Sequence, residues 1–261
     1  MPTKPLMIET DIGTIAVYRK VVPDTVPIIF LHGVYYDHNL WNYYTSRILD
    51  RTVITVDMPL HGKSKSITNE DWNMADCADM LIEIIDSLGY DQLYAVGHSW
   101  GSMTILRAAA QFPDRFTAIG LCNMPYEKGS LKAKLQFKFQ HTLLPFRGFY
   151  TKQVAKAMFS KESSAANPEI GKYLAVSMSQ LSNKDVVKTD SAVITGVDAG
   201  SPYLEKLTVP ALALRGDQDY VGTPRNIKTT IVPGAHTSPL ERPEELLTFI
   251  NKVLALTRLY Y

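Results

Sequence analysis

The pentapeptide Gly97-His98-Ser99-Trp100-Gly101 constrains this chain more than any other stretch. It follows the apolar run Leu93-Tyr94-Ala95-Val96 and precedes Met103-Thr104-Ile105-Leu106-Arg107-Ala108-Ala109-Ala110. A strand that turns into a helix this abruptly holds its central residue in a strained conformation, and flanking glycines let the two elements approach without Cβ clashes. The serine is thereby offered to a substrate. The bare Gly-x-Ser-x-Gly pattern arises by chance in roughly one chain in ten of this length, so its surroundings carry the argument.

Those surroundings alternate strand and helix. Met7 to Asp11, a turn at Gly13, and Thr14 to Val21 read as an antiparallel hairpin. Pro27-Ile28-Ile29-Phe30-Leu31 is a continuous apolar run, as expected of a strand covered on both faces in a parallel sheet, and Thr52-Val53-Ile54-Thr55-Val56 reads as a second buried strand. Between them, a helix is expected to run through Leu49. Met74, Cys77, Ala78, Leu81, Ile84, Ile85 and Leu88 recur at helical spacing and stop at Gly89. Phe116 to Cys122, Val209 to Leu214 and Ile227 to Val232 read as further strands, and a last helix starts at Pro243. The expected fold is α/β, a doubly wound, mostly parallel sheet with an inserted helical lid. Residues 1–125 and 208–261 form its core, and residues 126–207 form the lid.

With 261 residues, 46% of them hydrophobic, the chain is long enough for one such domain with an insertion. Its net charge of +1 gives no reason to expect nucleic-acid binding. The amino terminus lacks the apolar segment of a signal peptide, and no run of about 18 apolar residues suggests a membrane span. A soluble, cytoplasmic protein without integral membrane segments is therefore expected. Cys77 and Cys122 lie within apolar patterns and read as reduced core residues, with no metal site indicated.

Four motifs together resemble the α/β-hydrolase family. They are Leu31-His32-Gly33, Asp57-Met58-Pro59-Leu60-His61-Gly62-Lys63-Ser64, the pentapeptide around Ser99, and Gly234-Ala235-His236, in the family's order. The resemblance implies Ser99 as nucleophile, His236 as its base and Asp219 as the acid that orients the base. It implies backbone donors at Val34 and Trp100 for a developing oxyanion, and neither cofactor nor metal. Asp217, two residues before Asp219, reads as a turn residue and remains the alternative acid. In some members the acid instead ends the strand after the nucleophile helix, where this chain has Asn123. Asp57 reads as a turn residue. Tyr35, Tyr36, Trp41 and Trp100 lie close enough to the motifs to line an apolar pocket, with helix packing the better role for Trp41.

Two departures stand out. Leu60 replaces a glycine usual in the family, which suggests a different local backbone there. Only 16 residues separate Asp219 from His236, too few for the family's crossover helix together with the Ile227 strand.

Between Lys128 and Lys161 the chain has eight Lys or Arg and no Asp or Glu. Such a run serves as a solvated face, or as a rim that steers an anionic substrate, an acyl carrier or an acidic membrane surface. Within it, Leu131 to Phe139 alternates apolar and polar residues. The resemblance favours a helix, with Leu131, Leu135 and Phe139 on one stripe and Ala133 and Phe137 on another, and Leu135 and Phe139 are expected to contact substrate. The implied activity is hydrolysis of a small to medium carboxylic ester through an acyl-enzyme. Thioester, lactone and carbon–carbon bond hydrolysis use the same groups, and a slow-turnover receptor on this fold is the reading from another class. Family members that open epoxides carry an aspartate where this chain has Ser99. A monomer and a homodimer both remain open.

Overall fold

The computed structural model describes residues 4–128 and 131–256. The outer ends of the expected core segments, residues 1–3 and 257–261, and residues 129–130 of the expected lid lie outside the described residues. The strands are β1 (Leu6–Glu9), β2 (Gly13–Lys20), β3 (Ile28–Leu31), β4 (Val53–Val56), β5 (Ser66–Ile67), β6 (Leu93–His98), β7 (Phe116–Cys122), β8 (Ala211–Gly216) and β9 (Lys228–Val232). They form a sheet in the order β1-β2-β4-β3-β6-β7-β8-β9, with β5 paired to β2. β2 is antiparallel to β1, β4 and β5; every pairing from β4 to β9 is parallel.

The continuous apolar runs became the sheet's centre, because a parallel strand with helices on both faces has no side free for water. Every residue of β3, β4 and β6 is buried. The helices are α1 (Asn42–Thr45), α2 (Met74–Ser87), α3 (Trp100–Gln111), α4 (Leu131–His141), α5 (Arg147–Met158), α6 (Lys161–Ala166), α7 (Glu169–Ser179), α8 (Asn183–Asp190), α9 (Ser201–Lys206), α10 (Ser238–Glu241) and α11 (Pro243–Leu254). α2 starts at a capping box made by Asn73 and Asp76. It packs beside α3, which lies on β6 and β7, while α11 lies on β7 and β8 beside α1. Helices α4 to α9 fall between β7 and β8.

Two expectations need correction. The helix expected through Leu49 is shorter: a single 3-10 turn, His38–Trp41, runs directly into α1 and ends at Thr45. Asp37 caps that turn through the Asn39 N–H, and Leu40, Trp41 and Tyr44 fill the core at once, with Trp41 against Phe30. Leu60 has a φ of 68°, the left-handed value favoured by glycine, at a backbone cost of about 1–2 kcal/mol. The stretch from Ile227 is strand only from Lys228, and residues 217–227 contain no helix. β9 is consequently an exposed edge, with Ile231 55% exposed.

Candidate active site

Strand register gathers the site. Ser99 N–H donates to the Cys122 carbonyl, Asn123 N–H to the Leu214 carbonyl, and Gln218 N–H to the Gly234 carbonyl. The carboxyl ends of β6, β7, β8 and β9 therefore finish level, and the residues just beyond them meet outside the sheet, where open α/β sheets place their ligands. Ser99 has φ 49° and ψ −109°, between the end of β6 and the start of α3. Its glycines are required: a Cβ on Gly97 would strike the backbone of Gly101 and Ser102, and one on Gly101 the Leu31 carbonyl. Tyr35 and Asn123 also have positive φ, 71° and 50°, so backbone strain concentrates around the same cleft.

Ser99 Oγ lies 2.9 Å from His236 Nε2, and His236 Nδ1 lies 2.9 Å from Asp219 Oδ1. All three side chains are buried or nearly so. Asp219 accepts further bonds from the Asn123 amide (2.7 Å) and the Val221 N–H (3.2 Å). Burial alone would raise the Asp219 carboxyl. The His236 ring, its hydrogen bond, and the Asn123 and Val221 donors outweigh this and hold it below the usual carboxylate range. With Asp219 ionised, Nδ1 carries the ring proton and Nε2 faces Ser99 as an acceptor.

Asp217 does not reach His236; it accepts from the Gly234 N–H at 2.9 Å and ties together the two turns that carry Asp219 and His236. Asp57 accepts from the His38 ring and N–H, the Tyr18 hydroxyl and the Lys63 N–H at 2.8–3.1 Å. It is a turn residue.

A cavity of about 570 Å³ opens beside Ser99. Val34, Tyr35, Trp100, Met103, Met158 and Val193 are among the residues that make its wall mostly apolar. Among the described residues, neither the Val34 nor the Trp100 N–H is engaged by a protein acceptor, as befits a loop end and a first helical residue.

Three of the expected substrate contacts lie outside the cavity wall. Tyr36 is buried away from the cavity, bonded to Thr237 Oγ1 at 3.1 Å and stacked on Tyr173. Leu135 and Phe139 are 58% and 69% exposed and point away from it. α4 is a helix, but Gln136, Phe137 and Gln140 line the cavity instead. The side chain of Ala133 lies outside the described set.

Three contributors went unread in the sequence. The Tyr220 hydroxyl lies 3.1 Å from His236 Nε2, with its ring stacked on the imidazole at 4.5 Å. Its adjacency to Asp219 was the available signal. Glu241 accepts from the Ala235 N–H at 2.9 Å and the Ser160 N–H at 2.8 Å, while the Met158 carbonyl accepts from the His236 and Thr237 N–H groups at 3.1 Å. The His236 loop is thus bound to the end of α5. Buried Asp190 joins Tyr35 (2.9 Å) to His141 (2.9 Å), beside Tyr150. Burial pushes its carboxyl up against the hydrogen bonds that oppose this. No group of His, Cys, Asp and Glu among the described residues is arranged to hold a metal ion.

This sheet carries a strained serine on the turn after its central strand β6, a carboxylate after β8 and a histidine after β9. A family model described as alpha/beta hydrolase fold matches residues 26–231, and the chain belongs to that family. It is similar to a thermophilic esterase from Thermogutta terrifontis, at 21% identity and TM-score 0.83 over 97% of this chain and 98% of that one. It is also similar to the enol-lactonase from Burkholderia xenovorans LB400, at 17% identity and TM-score 0.82 over 93% and 96%. At such identities the likeness is one of fold. Among curated sequences it resembles Epoxide hydrolase 1 of Caenorhabditis elegans, 24% identical over 123 residues, which are 45% of this chain and 30% of that protein. The chain spans less than two fifths of the length of the first curated relatives it matches.

Proposed function

We propose that the protein is a serine hydrolase of small to medium carboxylic esters. One observation carries this reading: Ser99, His236 and Asp219 form an unbroken chain of 2.9 Å contacts ending in an apolar cavity of about 570 Å³. A serine hydroxyl is a weak nucleophile at neutral pH and needs such a base, itself oriented by an acid.

In this reading Ser99 Oγ attacks the ester carbonyl carbon as its proton passes to His236 Nε2. The carbonyl electron pair moves to oxygen, where the Val34 and Trp100 N–H groups receive the charge, each worth roughly 10² to 10³ in rate. Collapse expels the alkoxide, which leaves with the proton from His236. Water, deprotonated by the same nitrogen, then releases the acid from the acyl-serine. Asp219 orients the ring throughout and stabilises its cationic form. Helices α4 to α9 act as the lid, supplying Phe137, Tyr150 and Met158 to the acyl or alcohol pocket. Serine at the elbow favours acyl transfer over epoxide opening; thioesters and lactones are substrates of the same chemistry.

Intact mass after exposure to a fluorophosphonate is the direct test. Wild type is expected to gain one adduct, Ser99→Ala none, and His236→Ala to react far more slowly. A folded wild-type protein that gains none has no activated serine, which would favour the slow-turnover receptor. Sustained turnover over a panel of esters, thioesters and lactones then assigns the substrate class.

A further inference from the structure

α4 has two faces with different surroundings. Gln136, Phe137 and Gln140 face the cavity. Leu131, Leu135 and Phe139 follow one another at intervals of four, share a stripe on the other side, and are 73%, 58% and 69% exposed. Phe146 and Phe149, in the next turns of chain, are 69% and 52% exposed. Single exposed apolar side chains are ordinary, but five large ones within residues 131–149, three of them on one stripe of α4, call for an occupant.

Charge narrows the choice of occupant. These residues lie inside the run with eight Lys or Arg and no Asp or Glu. Lys134 and Lys138 sit on α4 itself, Lys152 and Lys156 on α5, and among the described residues none of the four is in an ion pair. A second copy of the chain, docked symmetrically through this face, would set one basic surface against another. An anionic bilayer surface meets both needs, since apolar side chains enter the acyl boundary while lysines approach the phosphates. No helix among the described residues is long and apolar enough to cross a membrane, so the contact is peripheral.

We propose that the exposed face of α4, with Phe146 and Phe149, docks on an anionic phospholipid surface. Because Phe137 and its neighbours on α4 wall the cavity, docking sets the cavity's own helix against the bilayer. The proposal does not depend on the reaction assigned to Ser99.

Co-sedimentation of the full chain with vesicles tests it. Binding is expected to equimolar phosphatidylcholine and phosphatidylserine but not to phosphatidylcholine alone, and to weaken as salt is added. Lys134→Gln and Lys138→Gln should each lower the partition coefficient about fivefold. Leu135→Ser with Phe139→Ser should lower it roughly a hundredfold. These side chains touch little of the protein, so unchanged thermal unfolding will show that the variants remain folded. The proposal is overturned if the anionic vesicles bind no better than neutral ones, or if the variants bind as wild type does. It is also overturned if light scattering shows a dimer that Leu135→Ser with Phe139→Ser dissociates while vesicles are ignored.

Discussion

Two carboxylates stand two residues apart after β8, and only one reaches the imidazole. Asp219 lies 2.9 Å from His236 Nδ1, while Asp217 is spent on the Gly234 N–H. Asp219→Asn should therefore lower kcat by about 10⁴, because an amide supplies no charge and no longer fixes the tautomer. Asp217→Asn keeps an oxygen for Gly234 and should lose little; equal losses in steady-state assays would reverse the assignment. Tyr220 poses a finer question. Its hydroxyl and that of Ser99 both face Nε2, which has one lone pair in the neutral ring. A phenol donates a hydrogen bond more readily than it accepts one, so Tyr220 competes with Ser99 for that lone pair. Tyr220→Phe keeps the stacked ring and removes the competing donor, and its kcat/KM should rise about threefold to tenfold in steady-state assays. An unchanged kcat/KM would leave Tyr220 a packing residue.

Elements that declare themselves locally were legible in the sequence. β3 is apolar throughout and β4, β6 and β7 mostly so, because both faces are covered, and the turn at Ser99 was marked by glycines that no other residue could replace. What stayed hidden depended on which neighbour an element meets. Spacing places Leu135 and Phe139 on one stripe of α4 and Phe137 on another, but cannot say which stripe faces inward. Asn123 meets a partner 96 positions away, Tyr220 one 16 away, and Glu241 joins Ala235, six positions before it, to Ser160, 81 before it; the longest of these separations no local pattern encodes. Glu241 shows what such a contact contributes. Its two oxygens take one N–H from the His236 loop and one from the residue that caps α6. Glu241→Ala leaves both donors buried and unpaired, at a cost of about 3 kcal/mol. For a chain of this size the melting temperature should drop by roughly 6–12 °C. Turnover should fall with it as the imidazole loses its support, whereas Glu241→Gln, keeping one acceptor, should lie between. Calorimetry giving the wild-type melting temperature for Glu241→Ala would show that the two elements hold without it.

The molecule as a whole is built around neutral histidines, and this sets how it meets acid. His32 accepts from the Met58 N–H at 2.9 Å and donates to the Gly33 carbonyl; His61 accepts from the Tyr35 N–H at 3.1 Å and donates to the Pro59 carbonyl. His98 donates to the His236 carbonyl at 2.8 Å. Burial pushes these imidazoles down to about 3, 4 and 3, helped by the neighbouring His61 ring for His32 and His236 for His98. In the unfolded chain each titrates near its ordinary value of about 6.5. As pH falls below that value, the unfolded chain takes up protons that the folded protein refuses. Stability is therefore complete above about 6.5 and declines toward 4, by up to about 1.4 kcal/mol per pH unit for each histidine. Asp57 and Asp219 do not contribute in this window. Burial would raise Asp57, but His38 and the Lys63 N–H hold it below the usual range, as their partners do Asp219. Their stabilisation is lost only as pH falls through those depressed values. Asp190, raised by burial, works in the opposite sense, by one proton at most. Unfolding at a pH of about 5.5 should consequently take up protons, measurable as the dependence of calorimetric enthalpy on buffer ionisation heat. His98→Gln retains a donor for the His236 carbonyl and should reduce the uptake by about one proton. If it leaves the uptake unchanged, His98 is already charged in the folded protein, and the cleft beneath Ser99 is held together by a different pattern of hydrogen bonds.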